Sequence, residues 1–457
     1  MHEALHTLDI LNLILDDADL QQADLFHCAL ACSLWRDVAI PKIWEDIRST
    51  DALFRLLPEE ALDPDYDAAE GLSSALDRND HHHVLPTGWD IFCRRAAFAK
   101  RLVLDISVVS SDQQRAFGPV ISRMTTFPSL ERLVLHGLLQ SKQVTTAPCL
   151  SLLLLDANNP AREVANLKSI ETKQTPVPDI VPLLHLPRAR ILRSICVTGQ
   201  IPNPIILSSL FEALSSNIDP ITLREVSVTR TLRAPHLYEL ADSYFLAPAH
   251  ILPLAAFRRL TRVELLGVAG FFMEDADYAR CAEWWPELRV FALEPPVQEG
   301  WYPGICTLRA VEAFARGCPD LELLGLPLVS LDVPGDPSPL PLKSSTTPPP
   351  DVTIRVVGDC ATIVEVAPPV VEVAPPVTDF VPHEQEQTPH PRTRYGKDLA
   401  SYLLKLFPGL DRVIYVGRTP ADAGYNAPVA EGRRSMWEKF DVTLRAMKEE
   451  WGVEGVA

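Results

Sequence analysis

Apolar residues recur along the chain with two different periods. Near the start, Leu8, Leu11, Ile14 and Leu15 sit at helical spacing, and Asp16, Asp17 and Asp19 end the pattern. A second helix is expected from Asp24, with Leu25, Cys28, Ala29 and Cys32 on one side. A third carries Trp35, Val38 and Ala39 and is expected to be interrupted by Pro41 before Ile43 and Trp44. From about residue 100 the period shortens to two. Phe127-Pro128-Ser129-Leu130 leads into Arg132-Leu133-Val134-Leu135, and Trp285-Pro286-Glu287-Leu288 into Arg289-Val290-Phe291-Ala292-Leu293. Cys318-Pro319-Asp320-Leu321 and Phe407-Pro408-Gly409-Leu410 lead into similar runs, and looser copies begin near Leu102, Leu150, Leu192, Leu223 and Leu260. Each run predicts a short strand. The stretches 207–214, 308–314 and 399–407 between them read as amphipathic helices.

Strand and helix recurring at intervals of roughly 20 to 40 residues predict an α/β solenoid, in which one unit cannot bury its apolar face without neighbours. The x-Pro-x-Leu-x-x-Leu-x-Leu pattern resembles the irregular leucine-rich repeats of eukaryotic proteins, over about 95–330 and again in 395–418. A doubly wound α/β domain is the alternative, since it also alternates strand and helix. No Gly-rich phosphate loop follows any strand. At the C-terminus Trp437, Phe440, Leu444, Met447 and Trp451 are spaced 3, 4, 3 and 4. That predicts an amphipathic helix, either capping the repeat stack or binding a partner.

Two stretches break the pattern. Residues 58–88 hold eight acids and one base, followed by His81, His82 and His83, and read as an acidic linker or loop. The alternative for the three histidines is a metal site, but three adjacent side chains converge poorly on one ion. Residues 331–394 hold 14 of the 41 prolines, and Val364–Val370 is repeated without change in Val371–Val377. This predicts a disordered Pro-rich insertion, with a docking peptide as the functional alternative.

Composition narrows the function classes. The chain has 457 residues, 47% hydrophobic and 22% charged, with 42 Lys+Arg against 60 Asp+Glu and a net charge of -18. That balance argues against nucleic-acid binding and against docking to anionic membranes. The nine cysteines form no CxxC pair, no Asn-x-Ser/Thr sequon occurs, and no secretory leader or membrane-spanning run is present. The expectation is a reduced protein of the cytoplasm or nucleus. No nucleophile elbow, P-loop or His-Glu-x-x-His motif is present. Cys28 and Cys32, His2 and His6, and the His27–Cys28 neighbours are the nearest approaches to a site, and none is completed by further ligands. The expectation is a non-enzyme with no cofactor and no metal.

The most specific local signal is Asp24-Leu25-x-x-x-x-Leu30-Ala31-Cys32-x-x-Trp35-Arg36, preceded by Leu8-Asp9-Ile10-Leu11-x-x-Ile14 and followed by Val38-Ala39 and Pro41-x-x-Trp44. This resembles the F-box, as found at the N-terminus of fungal proteins that continue into irregular leucine-rich repeats. Where that family has a Pro before the acid, this chain has Thr7-Leu8 before Asp9. The resemblance implies a three-helix F-box over 1–50. It also implies a substrate-recognition role in a cullin–RING (SCF-type) ubiquitin ligase. Leu8, Ile10, Leu11, Ile14, Leu25, Leu30, Cys32 and Trp35 would then meet a Skp-type adaptor, and through it a cullin, while the repeats hold a substrate protein. Independently of the family, three short helices carry more apolar surface than they can hide from water, so the surplus packs on the array or on another protein. A helical cap on a repeat-based interaction scaffold with no ligase connection is the alternative.

For the substrate surface, alternation along the strands nominates Arg132, His136, Arg224, Arg262, Arg289 and Arg412, with Glu264 and Glu322 among them. A row of arginines suits a partner offering carboxylates or phosphates. Local pairing with acids such as Glu131 and Glu225 is the alternative.

Overall fold

The computed structural model describes residues 7–17, 19–49, 51–52, 88–105, 129–137, 167–175, 177–185, 187–199, 204–230, 245–267, 270–294, 306–328, 333–334, 351–357, 391–416 and 440–449. The chain divides into two compact α/β units. One is formed mainly by the residues up to Pro202 with Ser209–Leu223, the other mainly by Arg224–Arg230 and the residues from Ala234 onward.

The first unit opens with three helices, α1 (Leu8–Leu15), α2 (Gln22–Ala31) and α3 (Ser33–Glu45). Asp24 is the third residue of α2, where its Oδ2 accepts a hydrogen bond from the Gln21 N–H at 2.9 Å and closes a capping box. The expected break at Pro41 does not occur, for α3 runs through it to Glu45. A proline removes one helical hydrogen bond. Here the last turn is held by other contacts, described below. Leu11, Leu15, Ala29, Val38 and Ala39 form a small core, with Leu20, Leu25, Cys28, Leu34, Trp35, Ile40 and Ile43 packed around it.

Strands β1 (Asp46–Ile47), β2 (Arg101–Asp105), β3 (Arg132–His136), β4 (Ser169–Lys173) and β5 (Ser194–Gly199) follow, and each pairs in parallel with the one before it. Parallel neighbours need crossovers. Helix α4 (Gly88–Ala96) precedes β2, and α5 (Val177–Leu184) with a 3-10 turn (Pro187–Ile191) joins β4 to β5. Leu102, Leu104, Leu133, Leu135, Ile170, Ile195 and Val197 share one buried face of the sheet. Helix α6 (Pro204–Asn217) follows, and its Leu210, Phe211 and Leu214 are buried.

The second unit repeats the scheme with β6 (Glu225–Arg230), β8 (Arg262–Leu266), β10 (Val290–Glu294), β11 (Leu323–Leu326), β12 (Val352–Val357) and β13 (Leu410–Val416), again parallel and in sequence order. A short parallel pair, β7 (Phe245–Leu246) with β9 (Gly270–Phe271), lies outside this order. Helices α7 (Pro248–Ile251), α8 (Asp275–Trp284), α9 (Leu308–Gly317) and α10 (Pro391–Leu406) connect the strands, and residues 440–449 form a last helix, α11. In α11 Phe440, Leu444 and Met447 are buried, the face that their spacing marks; Trp437 and Trp451 lie outside the described residues.

Strand order following sequence order within each unit is solenoid-like. A doubly wound sheet reverses direction at a switch point, and the described strands of each unit contain none. In seven of the strands the leucine two residues before the strand is the repeat's anchor. Leu130, Leu167, Leu192, Leu223, Leu260, Leu288 and Leu321 are all 4% exposed or less. The expected copy near Leu150 lies outside the described residues, as does nearly all of the acidic stretch 58–88.

Two strands depart from expectation. β4 has no Pro-x-Leu lead, yet Leu167 takes the anchor's place. β12 falls inside the stretch 331–394 expected to be a disordered Pro-rich insertion, so that boundary is corrected; α10 likewise begins at Pro391, before the expected 395. β12 is held because its Ile354 and Val356 complete the buried face between β11 and β13. On the opposite face Arg355 reaches across Gly325 to Glu294, at 3.2 Å. A Cβ at Gly325 would lie 3.1 Å from Ala292 Cβ and 3.3 Å from Glu294 Oε1, so a larger residue there would crowd this bridge.

Leu288→Ala is expected to destabilise the second unit by about 2–5 kcal/mol, because it empties a buried anchor position. Leu252→Ala, at a leucine 53% exposed, is expected to stay within about 0.5 kcal/mol of wild type. Denaturant unfolding of the two variants checks the pair.

Candidate functional site

Four of the apolar residues nominated in the N-terminal helices are exposed: Leu8 (53%), Ile10 (37%), Ile14 (38%) and Leu30 (65%). Leu25, Cys32 and Trp35 are half-buried, and the Trp35 Nε1 is enclosed with no hydrogen-bond partner among the described residues. Leu11 is fully buried in the helical core, so its nomination as a contact residue is corrected to a structural one. Two exposed residues escaped the sequence reading, Leu13 at 75% and Phe26 at 55%. The signal for them was helical phase. Ile10, Leu13 and Ile14 recur at i, i+3 and i+4 on the side of α1 away from Leu11 and Leu15, and Phe26 and Leu30 are an i, i+4 pair on α2. Each helix therefore carries an apolar ridge facing water, and both helices pack on α3.

The loop between α1 and α2 is fastened from below. Lys42 of α3 donates to Asp16 and lies 3.5 Å from Glu45. The Asp16 hydrogen bond raises the Lys42 ammonium above its ordinary value; burial opposes this, and the Glu45 charge adds to it. Cys28, the thiol nearest the ridges, is also raised, first by burial and then by the Asp24 charge, which makes it a poor nucleophile.

Just past its last turn α3 continues without a linker into β1. Three successive residues at this junction are each met by a cation. The Arg95 guanidinium lies 5.2 Å from the centre of the Trp44 ring, Lys100 pairs with Glu45 at 3.0 Å, and Arg101 pairs with Asp46 at 3.2 Å. The Lys100 N–H also donates to the Glu45 carbonyl at 2.9 Å.

The nominated substrate residues do not form a free basic row. Arg132 pairs with Glu171 at 2.7 Å, Arg224 with Glu287 at 3.0 Å, Arg262 with Glu264 at 3.1 Å, and Arg412 with Asp411 at 3.7 Å, while Arg289 pairs with Glu322. Nor do they share a phase. Arg262 stands in register with Val290, so Arg289 and Arg224, which precede their strands, are one residue out of step with it. His136 is half-buried beside Asp105 and Lys173 in register, and its Nε2 has no partner among the described residues. The expected arginine row is therefore not a row of free cations, because each guanidinium already has a carboxylate.

Two thiols of the second unit, Cys281 and Cys318, are equally quiet. Burial raises Cys281 far above its ordinary value, with the Asp277 charge adding to it, and pushes Cys318 up to about 12. Among the described residues no group of three His, Cys, Asp or Glu is placed to hold a metal ion, and no helix is long and apolar enough to cross a membrane. His81, His82 and His83 lie outside the described residues.

No model of a known protein family matches the chain, and no curated protein matches it.

Glu171 gives a pH test of the strand-face ion pairs. Burial works to raise its carboxyl, but the hydrogen bonds and charges of Arg132 and Lys173 outweigh burial and hold the group below its ordinary value. A depressed carboxylate contributes stability that is present above its unfolded value and lost as pH falls through the folded one. Wild type is therefore expected to lose more stability than Glu171→Gln as pH is lowered through and below the ordinary carboxylate range. Denaturant midpoints of both proteins across that range measure the difference; parallel curves would refute the pairing.

Proposed function

We propose that the chain is a substrate-recognition subunit of a cullin–RING ubiquitin ligase, docking a Skp-type adaptor through its N-terminal helices and presenting a target protein on its parallel-strand units. The observation that carries the reading is the pair of water-facing apolar ridges, Ile10–Leu13–Ile14 and Phe26–Leu30, on helices whose opposite sides are already buried. Ridges of this kind on short helices suit the apolar groove of a partner. The residues from Asp24 to Arg36 that resemble the F-box span α2, which carries the second ridge, and the first turn of α3. The protein acts as a receptor rather than a catalyst, works without a cofactor, and resides in the cytoplasm or nucleus.

The second reading is a repeat-based scaffold whose helices simply cap the strand array. It is favoured by the direct passage of α3 into β1, which ties the helices to the sheet with no linker.

Co-purification of the full chain with a Skp-type adaptor separates the two. Leu13→Asp and Phe26→Asp are expected to abolish capture, because each sets a charge in an apolar contact. They are expected to leave thermal stability nearly unchanged, since both side chains face water. Leu11→Asp is expected to unfold the helices instead. A folded wild-type protein that captures no adaptor would establish the scaffold reading.

A further inference from the structure

We infer that Arg95, Lys100 and Arg101 are positioning residues that lock the N-terminal helices at one angle to the strand array of the first unit, so that a partner docked on the helices is held at a fixed distance from anything bound to the strands. The functional half of this inference rests on the adaptor reading above; the geometric half does not.

The chain passes from the helices into the array at the α3–β1 junction, where α4 also packs on α3, and its construction is unusual for a join between a helical module and a sheet. Glu45 is the last residue of α3 and Asp46 the first of β1, so no flexible residue intervenes. Junctions between such parts ordinarily fall in loose polar linkers, and relative motion is the default there. Here the three consecutive residues Trp44, Glu45 and Asp46 are gripped by Arg95 from the last turn of α4, Lys100 from the turn that follows it and Arg101, the first residue of β2. The grips differ in kind and direction: a cation over an aromatic face, an ammonium on a carboxylate, and a guanidinium on a carboxylate. Contacts of different direction on successive residues oppose rotation about the junction as well as bending. Beneath them, Ile47 is 2% exposed, opposite Leu102 in the sheet, and Phe92 and Ala96 of α4 are fully buried.

Lys100 is 53% and Arg101 36% exposed at the side chain, and Arg95 is half-buried. Exposed pairs add little to global stability. Their worth lies in choosing among orientations that the two-residue strand β1 would otherwise permit. Sequence order supports the same view. Arg95, Lys100 and Arg101 are spaced so that one short segment, leaving α4 and starting β2, supplies all three contacts.

The test is a distance distribution between nitroxide labels on noncanonical residues, which bypasses the native cysteines. One label replaces exposed Ala23 on α2 and the other replaces exposed Arg193 ahead of β5. In the otherwise native full chain, double electron–electron resonance is expected to give one narrow distance peak. The triple variant Arg95→Ala, Lys100→Ala, Arg101→Ala is expected to keep its thermal midpoint and its adaptor capture but lose the single peak to a broad distribution. Arg95→Lys with Lys100→Arg and Arg101→Lys is expected to restore it, because the charges return. A broad distribution in the native chain overturns the inference, and so does an unchanged narrow peak in the alanine variant. Neither result depends on adaptor binding. A narrow native peak with no adaptor capture would retain the lock and remove only its proposed use.

Discussion

A shared backbone carbonyl at the start of six strands, β3, β4, β5, β8, β10 and β11, is the constraint on which the rest of the architecture depends. In the first unit the Lys100 carbonyl accepts from the N–H groups of both Glu131 and Arg132, that of Glu131 from Lys168 and Ser169, and that of Lys168 from Arg193 and Ser194. The second unit repeats the device. Arg224 accepts from Thr261 and Arg262, Thr261 from Arg289 and Val290, and Arg289 from Glu322 and Leu323. Each carbonyl uses both lone pairs, so the residue before a strand and the strand's first residue are fixed together by the preceding repeat. Register is thereby set before the strand begins. A slip of one residue would send every anchored apolar side chain to the wrong face.

That constraint also decides where charge goes. The residues carrying the shared carbonyls stand in file along one edge of the repeats, and most of them are charged. With their backbones pinned at strand spacing, a few ångströms apart, their side chains meet those of adjacent repeats. Lys168 reaches Glu131 at 2.6 Å and Lys100 reaches Glu45 at 3.0 Å, while Arg289 meets Glu322. Most cations at these positions therefore face an acid supplied by a neighbouring repeat. A row that looks basic along the sequence becomes a ladder of alternating sign in space. Such exposed pairs contribute modestly to stability individually, but they leave no run of free guanidinium groups for an anionic partner.

What was legible in the sequence follows from the same physics. The Pro-x-Leu leads announced strands because their leucines had to be buried and their prolines end the preceding helix. β4 was hidden because Ser-Ile-Glu-Thr-Lys offers one strongly apolar residue, and its anchor Leu167 lies within a segment without a proline signal. β12 was hidden by the composition around it: prolines on both sides outweighed a six-residue run whose alternation is plain once isolated. The ion pairs were illegible for a different reason. Arg132 and Glu171, or Arg224 and Glu287, are separated by whole repeats, and only the register brings them together. The exposed ridge on α1 was half visible, since the periodicity that put Leu11 and Leu15 inside also put Leu13 outside.

The two-residue strand β1 gives the N-terminal helices a different status from a tethered domain. A module that packs only on itself needs a core large enough to offset its chain entropy, and three short helices supply little. Their core holds five buried residues, two of them alanines. The array lends the remainder through β1, whose Ile47 is buried against the sheet, and through α4, which packs on α3. Stability borrowed in this way constrains function. Helices that fold against the array cannot swing freely from it, so their outward ridges face a direction that the sheet determines. The side of α3 turned toward the array serves folding; under the proposed function the outward sides of α1 and α2 would be left to a partner, and the junction between Glu45 and Asp46 would join the two roles.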